Sequence, residues 1–150
     1  MRFLLLMALL SYYSLGARAQ NNSMMETKTD DTREISRVLE HDYFKGIYLG
    51  DTNLLRKVYH PGTLLFGDVK GQPYSRSLVE YLEGVAKRQS PKELGNAFAS
   101  EILDIRITNS IAIAEVKVRM YDFNYHEYLS FHKINGKWLI VNKMISDVHQ

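Results

Sequence analysis

The 150-residue sequence contains no cysteine, three prolines and one tryptophan. The absence of cysteine excludes disulfide bonds, thiol nucleophiles and metal sites built on thiolates. No run of about 18 apolar residues is present, so the sequence predicts no transmembrane helix. With 45% apolar and 24% charged residues, the composition is that of a folded chain and excludes a collagen-like or wholly disordered one.

The first 19 residues have the pattern of a secretory signal peptide. Arg2 precedes a short apolar run, and Ala17-Arg18-Ala19 matches the A-x-A cleavage pattern. Cleavage after Ala19 would remove two basic residues and no acidic one, leaving equal numbers of each. The sequence therefore predicts a secreted or periplasmic protein without a membrane anchor. It also lacks the basic excess that a nucleic-acid partner requires.

After the signal peptide we expect a flexible leader at 20–30 and one domain at 31–150. Asp31 and Glu34 have the spacing of a capping box, which predicts a helix from Asp31 to about Leu49. Gly50 fits a left-handed C-cap, and Asp51 fits the N-cap of a short second helix at Thr52–Val58.

The middle of the chain alternates between turn signals and short elements. Residues 59–62 are predicted to break the second helix, and Thr63–Val69 is predicted to be a strand that ends at 70–73. Ser75 or Ser77 would cap a third helix, with Ser77 and Glu80 again at capping-box spacing. Residues 89–96 are expected to form a loop.

From Phe98 onward, apolar residues recur at every second position, which is typical of half-buried strands. Asn109-Ser110 allows a turn, and Asn135-Gly136 is a strong hairpin signal. Helices followed by a run of strands indicate an α+β fold. We expect a strongly curved antiparallel sheet around the long first helix and two shorter helices, with a cavity at its open end.

Two segments resemble a known family. Residues 43–51, YFKGIYLGD, resemble the end of the first helix in the nuclear-transport-factor-two-like superfamily. Residues 127–131, EYLSF, and 133–143, KINGKWLIVNK, are similar to the proteins called putative lumazine-binding. The resemblance covers about residues 34–145 and implies a cone-shaped, usually dimeric α+β domain with a pocket between helices and sheet. It does not imply one activity, because this superfamily includes both enzymes and binding proteins.

Glu127 is the first candidate for chemistry, because it shares a strand face with Tyr125, Leu129 and Phe131. Burial raises the pKa of a carboxyl, which would allow acid or base catalysis near neutral pH. Lys143 on the neighbouring strand could instead hold Glu127 in an ion pair. A structural pair, a ligand-binding role and catalysis all remain open.

Other side chains are candidates for the lining of the pocket. Asp42 could point from the first helix into the cavity or face solvent, and tyrosines could stack on a flat ligand. The full set of pocket candidates is Asp42, Tyr43, Tyr59, Tyr81, Glu127, Phe131 and Lys143.

The histidines do not form a recognisable site in the sequence. His60 and Asp68 are the one local candidate for a catalytic pair, although His60 before Pro61 also fits a turn. His126 and His132 are roughly 20 Å apart along an extended strand, too far to share one ion. The sequence thus predicts no metal and no cofactor.

One strand carries a mixed polar and apolar strip that is compatible with a dimer interface. Ile111 and Ile113 lie on this strip, and Trp138 is a candidate either for the interface or for the core. Three hypotheses follow. The chain is an exported dimeric protein that binds a small molecule, a small isomerase-, dehydratase- or cyclase-type enzyme with a carboxylate base, or an assembly module without a ligand.

Overall fold

The computed structural model describes residues 25–148, so the predicted signal peptide and residues 20–24 of the leader lie outside the described residues. Residues 25–33 belong to one compact unit and residues 34–148 to another. Residues 25–33 are helical, and the hydroxyls of Thr29 and Thr32 donate to carbonyls one turn earlier. The prediction that Asp31 begins a helix is therefore wrong. Residues before it, such as Glu26 and Lys28, favour helix themselves.

In the second unit, helix α1 covers residues 34–49 and contains a π-helical segment, Leu39–Phe44, followed by the α-helical residues Lys45–Leu49. Gly50 ends it with φ +67°, which confirms the predicted left-handed C-cap. The Asp51 side chain then accepts the backbone N–H groups of Asn53 and Leu54. Helix α2, Thr52–Val58, thus begins where the sequence predicted.

The next part of the chain holds more regular structure than predicted. Its elements are strands β1, Tyr59–Val69, and β2, Gln72–Ser77, and helices α3, Leu78–Lys87, and α4, Pro91–Leu94. The second helix ends at Val58, as residues 59–62 predicted. Three other expectations were wrong: β1 begins at Tyr59 and not at Thr63, β2 was missed, and residues 89–96, expected to form a loop, contain α4. Pro61 and Pro73 concealed the strands, because proline usually marks a turn or a sheet edge. The capping box of Ser77 with Glu80 is confirmed.

Four long strands complete the chain: β3, Phe98–Thr108; β4, Ile111–Met120; β5, Phe123–Ile134; and β6, Lys137–Asp147. The predicted hairpin turns are confirmed. Asn109 has φ +53°, and Asn135 and Gly136 have φ +50° and +76°. The six strands form one sheet in the order β2-β1-β6-β5-β4-β3. All neighbours are antiparallel except β1 and β6, which are parallel. The α+β class is confirmed.

One face of the sheet packs on the helices of the second unit and forms the core. On β4 four of the five buried residues are alanine or valine, and on α1 the apolar residues recur every three or four positions. The most enclosed large side chains include Trp138, Tyr43 and Phe131. Within residues 25–148 no helix is both long and apolar enough to cross a membrane.

Irregular pairing and one glycine shape the sheet. The register shifts in β3 between Ile102 and Asp104, and between β5 and β6 beyond Ser130. Such bulges bend a strand and increase its twist. Gly67 has φ +148°, and a Cβ atom there would lie 1.7 Å from the carbonyl oxygen of Ile145. β1 can therefore approach β6 closely because this position carries no side chain.

Candidate functional site

A polar cluster lies inside the second unit, between α1 and the sheet. Its first member is Tyr43, which sits in the π-helical segment of α1 and is 0% exposed. A π-helical segment widens a helix locally and often occurs at functional sites. The hydroxyl of Tyr43 reaches across to β5 and β6.

The other two members, Glu127 and Lys143, are charged and come from neighbouring strands. Glu127 lies on the inner face of β5, as its alternation with Tyr125 and Leu129 predicted. On β6, Trp138 and Ile140 point inward, and strict alternation would then turn Lys143 outward. Ser130 pairs with Asn142 but Phe131 pairs with Ile140, so one extra β6 residue lies between them. This bulge shifts the alternation and turns Lys143 into the core.

The three side chains form a closed set of hydrogen bonds. Lys143 Nζ lies 2.6 Å from Glu127 Oε1 and donates to the Tyr43 hydroxyl at 2.7 Å. The Tyr43 hydroxyl in turn donates to Glu127 Oε2 at 2.5 Å. Both carboxylate oxygens therefore have a donor, while the ammonium group keeps one further N–H. Glu127 and Lys143 are 1% and 3% exposed, so this ion pair is removed from water.

Further tyrosines surround this set. The Tyr59 ring lies 6.1 Å from that of Tyr43 and 5.9 Å from that of Tyr81, both edge to face. Lys143 Nζ lies 5.3 Å and 5.7 Å from the ring centres of Tyr43 and Tyr81, within range of cation–π attraction. The Tyr59 hydroxyl is buried and has no hydrogen-bond partner among residues 25–148.

Burial controls the protonation of the cluster. It raises the pKa of Tyr43 well above that of free tyrosine, and the negative charge of Glu127 raises it further. Burial likewise raises the pKa values of Tyr59 and Tyr81. For Tyr59 the nearby Tyr43 hydroxyl partly opposes this rise, although the two hydroxyls do not meet the geometry of a hydrogen bond. It lowers the pKa of Lys143, while Glu127 opposes this by attracting the charged form. The tyrosines are thus held neutral, as donors.

The cluster has more free donors than free acceptors. The carboxylate of Glu127 is occupied on both oxygens, which makes it a weak candidate for a general base. Of the alternatives considered for Glu127 from the sequence, the structure shows the ion pair with Lys143. What remains available is the Tyr59 hydroxyl and the third N–H of Lys143, two groups that can bind an oxygen or nitrogen acceptor.

Two further pocket candidates lie apart from these contacts. Asp42 is half-buried in the π-helical segment, and its side chain has no hydrogen bond to the cluster. Phe131 is 1% exposed and belongs to the apolar core.

The histidine pair considered from the sequence does not form. His60 Nδ1 accepts the backbone N–H of Gly62, which is the role of a turn residue. Asp68 instead accepts the hydroxyl of Ser146. In the described part of the chain, no group of three or more potential ligands could hold a metal ion.

The interface candidates divide between surface and core. Ile111 and Ile113 are 57% and 44% exposed on the outer face of the sheet. Trp138 is 2% exposed, so its interface assignment is corrected: it is a core residue. The sequence analysis missed other exposed apolar residues of this outer face, namely Leu64, Phe66, Tyr128 and Met144. They lie on β1, β5 and β6, and the alternation of polar and apolar residues within one strand does not by itself indicate an interface.

The outer face of the sheet also carries two clefts. One has a volume of about 610 Å³, and its lining includes Lys117, Arg119, Asn124 and His126. The other, of about 560 Å³, includes Ile111 and Ile113. His126 Nε2 lies 2.7 Å from Glu115 Oε1, a contact between neighbouring strands that sequence spacing did not suggest. Neither cleft includes a member of the buried cluster.

Comparison with known proteins identifies the fold. The family described as Putative lumazine-binding matches residues 30–146. An NTF2-like protein of unknown function from Shewanella baltica superposes with a TM-score of 0.71 at 19% identity, covering 81% of this chain and 97% of that one. A second from Methylobacillus flagellatus gives a TM-score of 0.70 at 23% identity, covering 80% and 94%. Among curated proteins, none matches this sequence significantly.

Proposed function

Because the chain belongs to the family described as Putative lumazine-binding, we propose that it binds a small molecule at the cluster of Tyr43, Tyr59, Tyr81, Glu127 and Lys143. The family relationship supports a small ligand-binding domain. The position of the site and the chemistry of the ligand are argued from the cluster itself.

The observation that carries the proposal is the unpartnered hydroxyl of Tyr59. A buried polar group without a hydrogen bond costs about 1–3 kcal/mol, and such groups are rare in folded proteins. A ligand acceptor placed against Tyr59 and the third N–H of Lys143 would remove this cost. The surrounding tyrosine rings supply flat apolar walls for the rest of the ligand.

The family description suggests a first probe. Lumazine is a flat bicyclic molecule with two carbonyl oxygens, which are acceptors of the kind that the free donors require. The cluster is enclosed, so a ligand of this size must enter by displacing a neighbouring side chain. Tyr74 and Tyr81 are half-buried, and we place the entry route past these two residues.

The test is a fluorescence titration of the purified chain with lumazine, preceded by native mass spectrometry to detect any co-purified molecule. We expect saturable binding or a bound mass in one-to-one ratio with the chain. Tyr59→Phe should abolish or strongly weaken binding. Tyr48→Phe, which changes a half-buried tyrosine packed on Phe98, should not. Equal binding by both variants would overturn the placement of the site.

The general-base alternative is weaker on the same geometry. A base must have a free lone pair directed at the substrate, and both oxygens of Glu127 already accept hydrogen bonds. The assembly-module alternative predicts no ligand in any variant. Saturable binding in the titration above would therefore exclude this alternative.

We also propose that the mature protein is an exported homodimer. The outer face of the sheet exposes six large apolar or aromatic side chains, a concentration typical of an interaction surface: Leu64, Phe66, Ile111, Ile113, Tyr128 and Met144. Intact mass of the secreted protein tests cleavage after Ala19. Native mass at several concentrations tests the dimer.

A further inference from the structure

The larger cleft on the outer face of the sheet contains charged side chains that the proposed function does not use. Residues of three neighbouring strands, β3, β4 and β5, line it, and its volume is about 610 Å³. Cavities of about 300–1,000 Å³ are of the size that small organic ligands occupy. The cleft shares no residue with the buried cluster or with the six exposed side chains proposed for the dimer.

Two cations lie on the same side of one strand in this cleft. Lys117 and Arg119 are two residues apart on β4, so their side chains leave the same face of the sheet roughly 7 Å apart. The pairing of β4 with β5 places His126 opposite Lys117 and Asn124 opposite Arg119. Side chains at opposite positions have Cβ atoms about 4.5–5.5 Å apart, so these four groups form a compact array.

The positive charge of this array is not balanced within the described chain. The side chains of Lys117, Arg119 and Asn124 make no hydrogen bond or ion pair among residues 25–148. Glu101 lies opposite Lys117 in the register of β3 and β4, yet the two do not form an ion pair. With His126 counted as neutral, two cations and one carboxylate leave the lining with a net charge of +1. One negative charge would balance it.

The orientation of His126 is fixed before any ligand binds. Its Nε2 lies 2.7 Å from Glu115 Oε1, and its ring centre lies 5.4 Å from that of Tyr128. The other ring nitrogen, Nδ1, has no partner in residues 25–148. Ala99 and Val148 add small apolar surfaces to the lining. The cleft thus combines unpartnered donors with apolar contact area, as binding sites for small molecules do.

We propose that this cleft binds a small organic monocarboxylate. The carboxylate group of the ligand lies between Lys117 and Arg119, and its apolar body lies against the His126 ring. The planar guanidinium of Arg119 can donate two parallel hydrogen bonds to a carboxylate, and the Asn124 amide can donate another. A phosphate ester carries nearly two negative charges, so it would exceed the charge that the lining balances.

The test is a titration of the isotope-labelled chain with benzoate, followed by NMR of the backbone amides. Benzamide has the same ring and nearly the same shape but no charge, so it is the matched control ligand. We expect saturable benzoate shifts at residues 99–101, 117–119 and 124–126, and weaker binding when sodium chloride is added. Benzamide should bind about tenfold more weakly or worse, because hydrogen bonds to a charged group are the stronger ones.

Variants locate the site. Arg119→Gln should weaken benzoate binding about tenfold or more, and Lys117→Gln should also weaken it. Arg37→Gln removes the same charge from an exposed position on α1 and should leave benzoate binding unchanged. Tyr59→Phe alters the interior site and should also leave it unchanged. Benzoate binding and lumazine binding can therefore fail independently of each other.

Four results would overturn the proposal. They are the absence of saturable shifts, shifts that map outside the cleft, equal affinity for benzoate and benzamide, and equal benzoate binding by the unsubstituted chain and Arg119→Gln. The amide spectrum of each variant shows in the same experiment that the chain is folded. Both substituted cleft residues are exposed, so we expect their variants to keep the fold.

Discussion

Removing one charge of the buried pair should cost far more than removing both. Glu127→Gln leaves the ammonium of Lys143 buried without an anion, and Lys143→Met leaves the carboxylate with Tyr43 as its one remaining partner. Breaking a buried pair by removing one partner costs about 3–5 kcal/mol. A domain has about 5–15 kcal/mol of stability in total, so either single variant should lose a large fraction of it.

The double variant Glu127→Gln/Lys143→Met removes both charges and leaves an amide that can still bond Tyr43. Its cost should therefore fall well below the sum of the two single costs, with a coupling energy of about 3 kcal/mol or more. Urea unfolding followed by tryptophan fluorescence measures all four proteins, because Trp138 is buried in the core.

A surface pair in the same chain provides the matched control. Lys70 Nζ and Asp122 Oδ2 are also 2.6 Å apart, but their side chains are 51% and 66% exposed. Solvent screens such a pair, so the corresponding double-mutant cycle, with two single variants and one double variant, should give little coupling energy. Additive effects in the Glu127–Lys143 cycle, or equal coupling in both cycles, would refute the argument that burial makes the interior pair strong.

Three further predictions concern the backbone, the titration of the core and the surface. Gly67→Ala should destabilise the fold by about 3 kcal/mol or more, since its Cβ would collide with the Ile145 carbonyl; the open helical site Gly84→Ala should gain about 1 kcal/mol in the same urea assay. Burial raises the pKa values of the core tyrosines, so the unfolded chain loses their protons first and stability falls above about pH 10. Tyr43→Phe should reduce this slope by about 1.4 kcal/mol per pH unit in unfolding curves at rising pH; an unchanged slope would contradict it. Ile113→Asp should convert the proposed dimer into a monomer in native mass spectra, and a persistent dimer would exclude this face as the interface.

Local signals in the sequence predicted most of the fold. Helices end at Gly50, which adopts a left-handed conformation, and begin at Asp51 and Ser77, whose side chains accept backbone N–H groups. Asn135-Gly136 forms the expected hairpin. These features depend on a few adjacent residues, so they can be recognised without tertiary information. The strand β2 was missed because Pro73 indicates a turn, although proline is tolerated on an edge strand.

The π-helical segment around Tyr43 could not be predicted in the same way. Tyr43 follows Ile35 and Leu39 in an ordinary spacing of four, and this spacing correctly predicts that it is buried. The hydrogen-bond pattern that widens the helix depends on what packs against it. The sequence therefore identified the residue but not the contacts of its hydroxyl.

Lys143 shows most clearly why a site can be suspected but not built from sequence. Glu127 could be assigned to the inner face because β5 alternates strictly around it, whereas β6 alternates strictly only up to Ile140. Carried forward from Ile140, that alternation alone would place Lys143 in solvent, so the spacing of β6 did not support the ion pair with Glu127 that the sequence analysis considered. One extra residue in β6 turns Lys143 inward instead. The buried charge pair thus depends on a bulge whose position is set by the pairing of two strands.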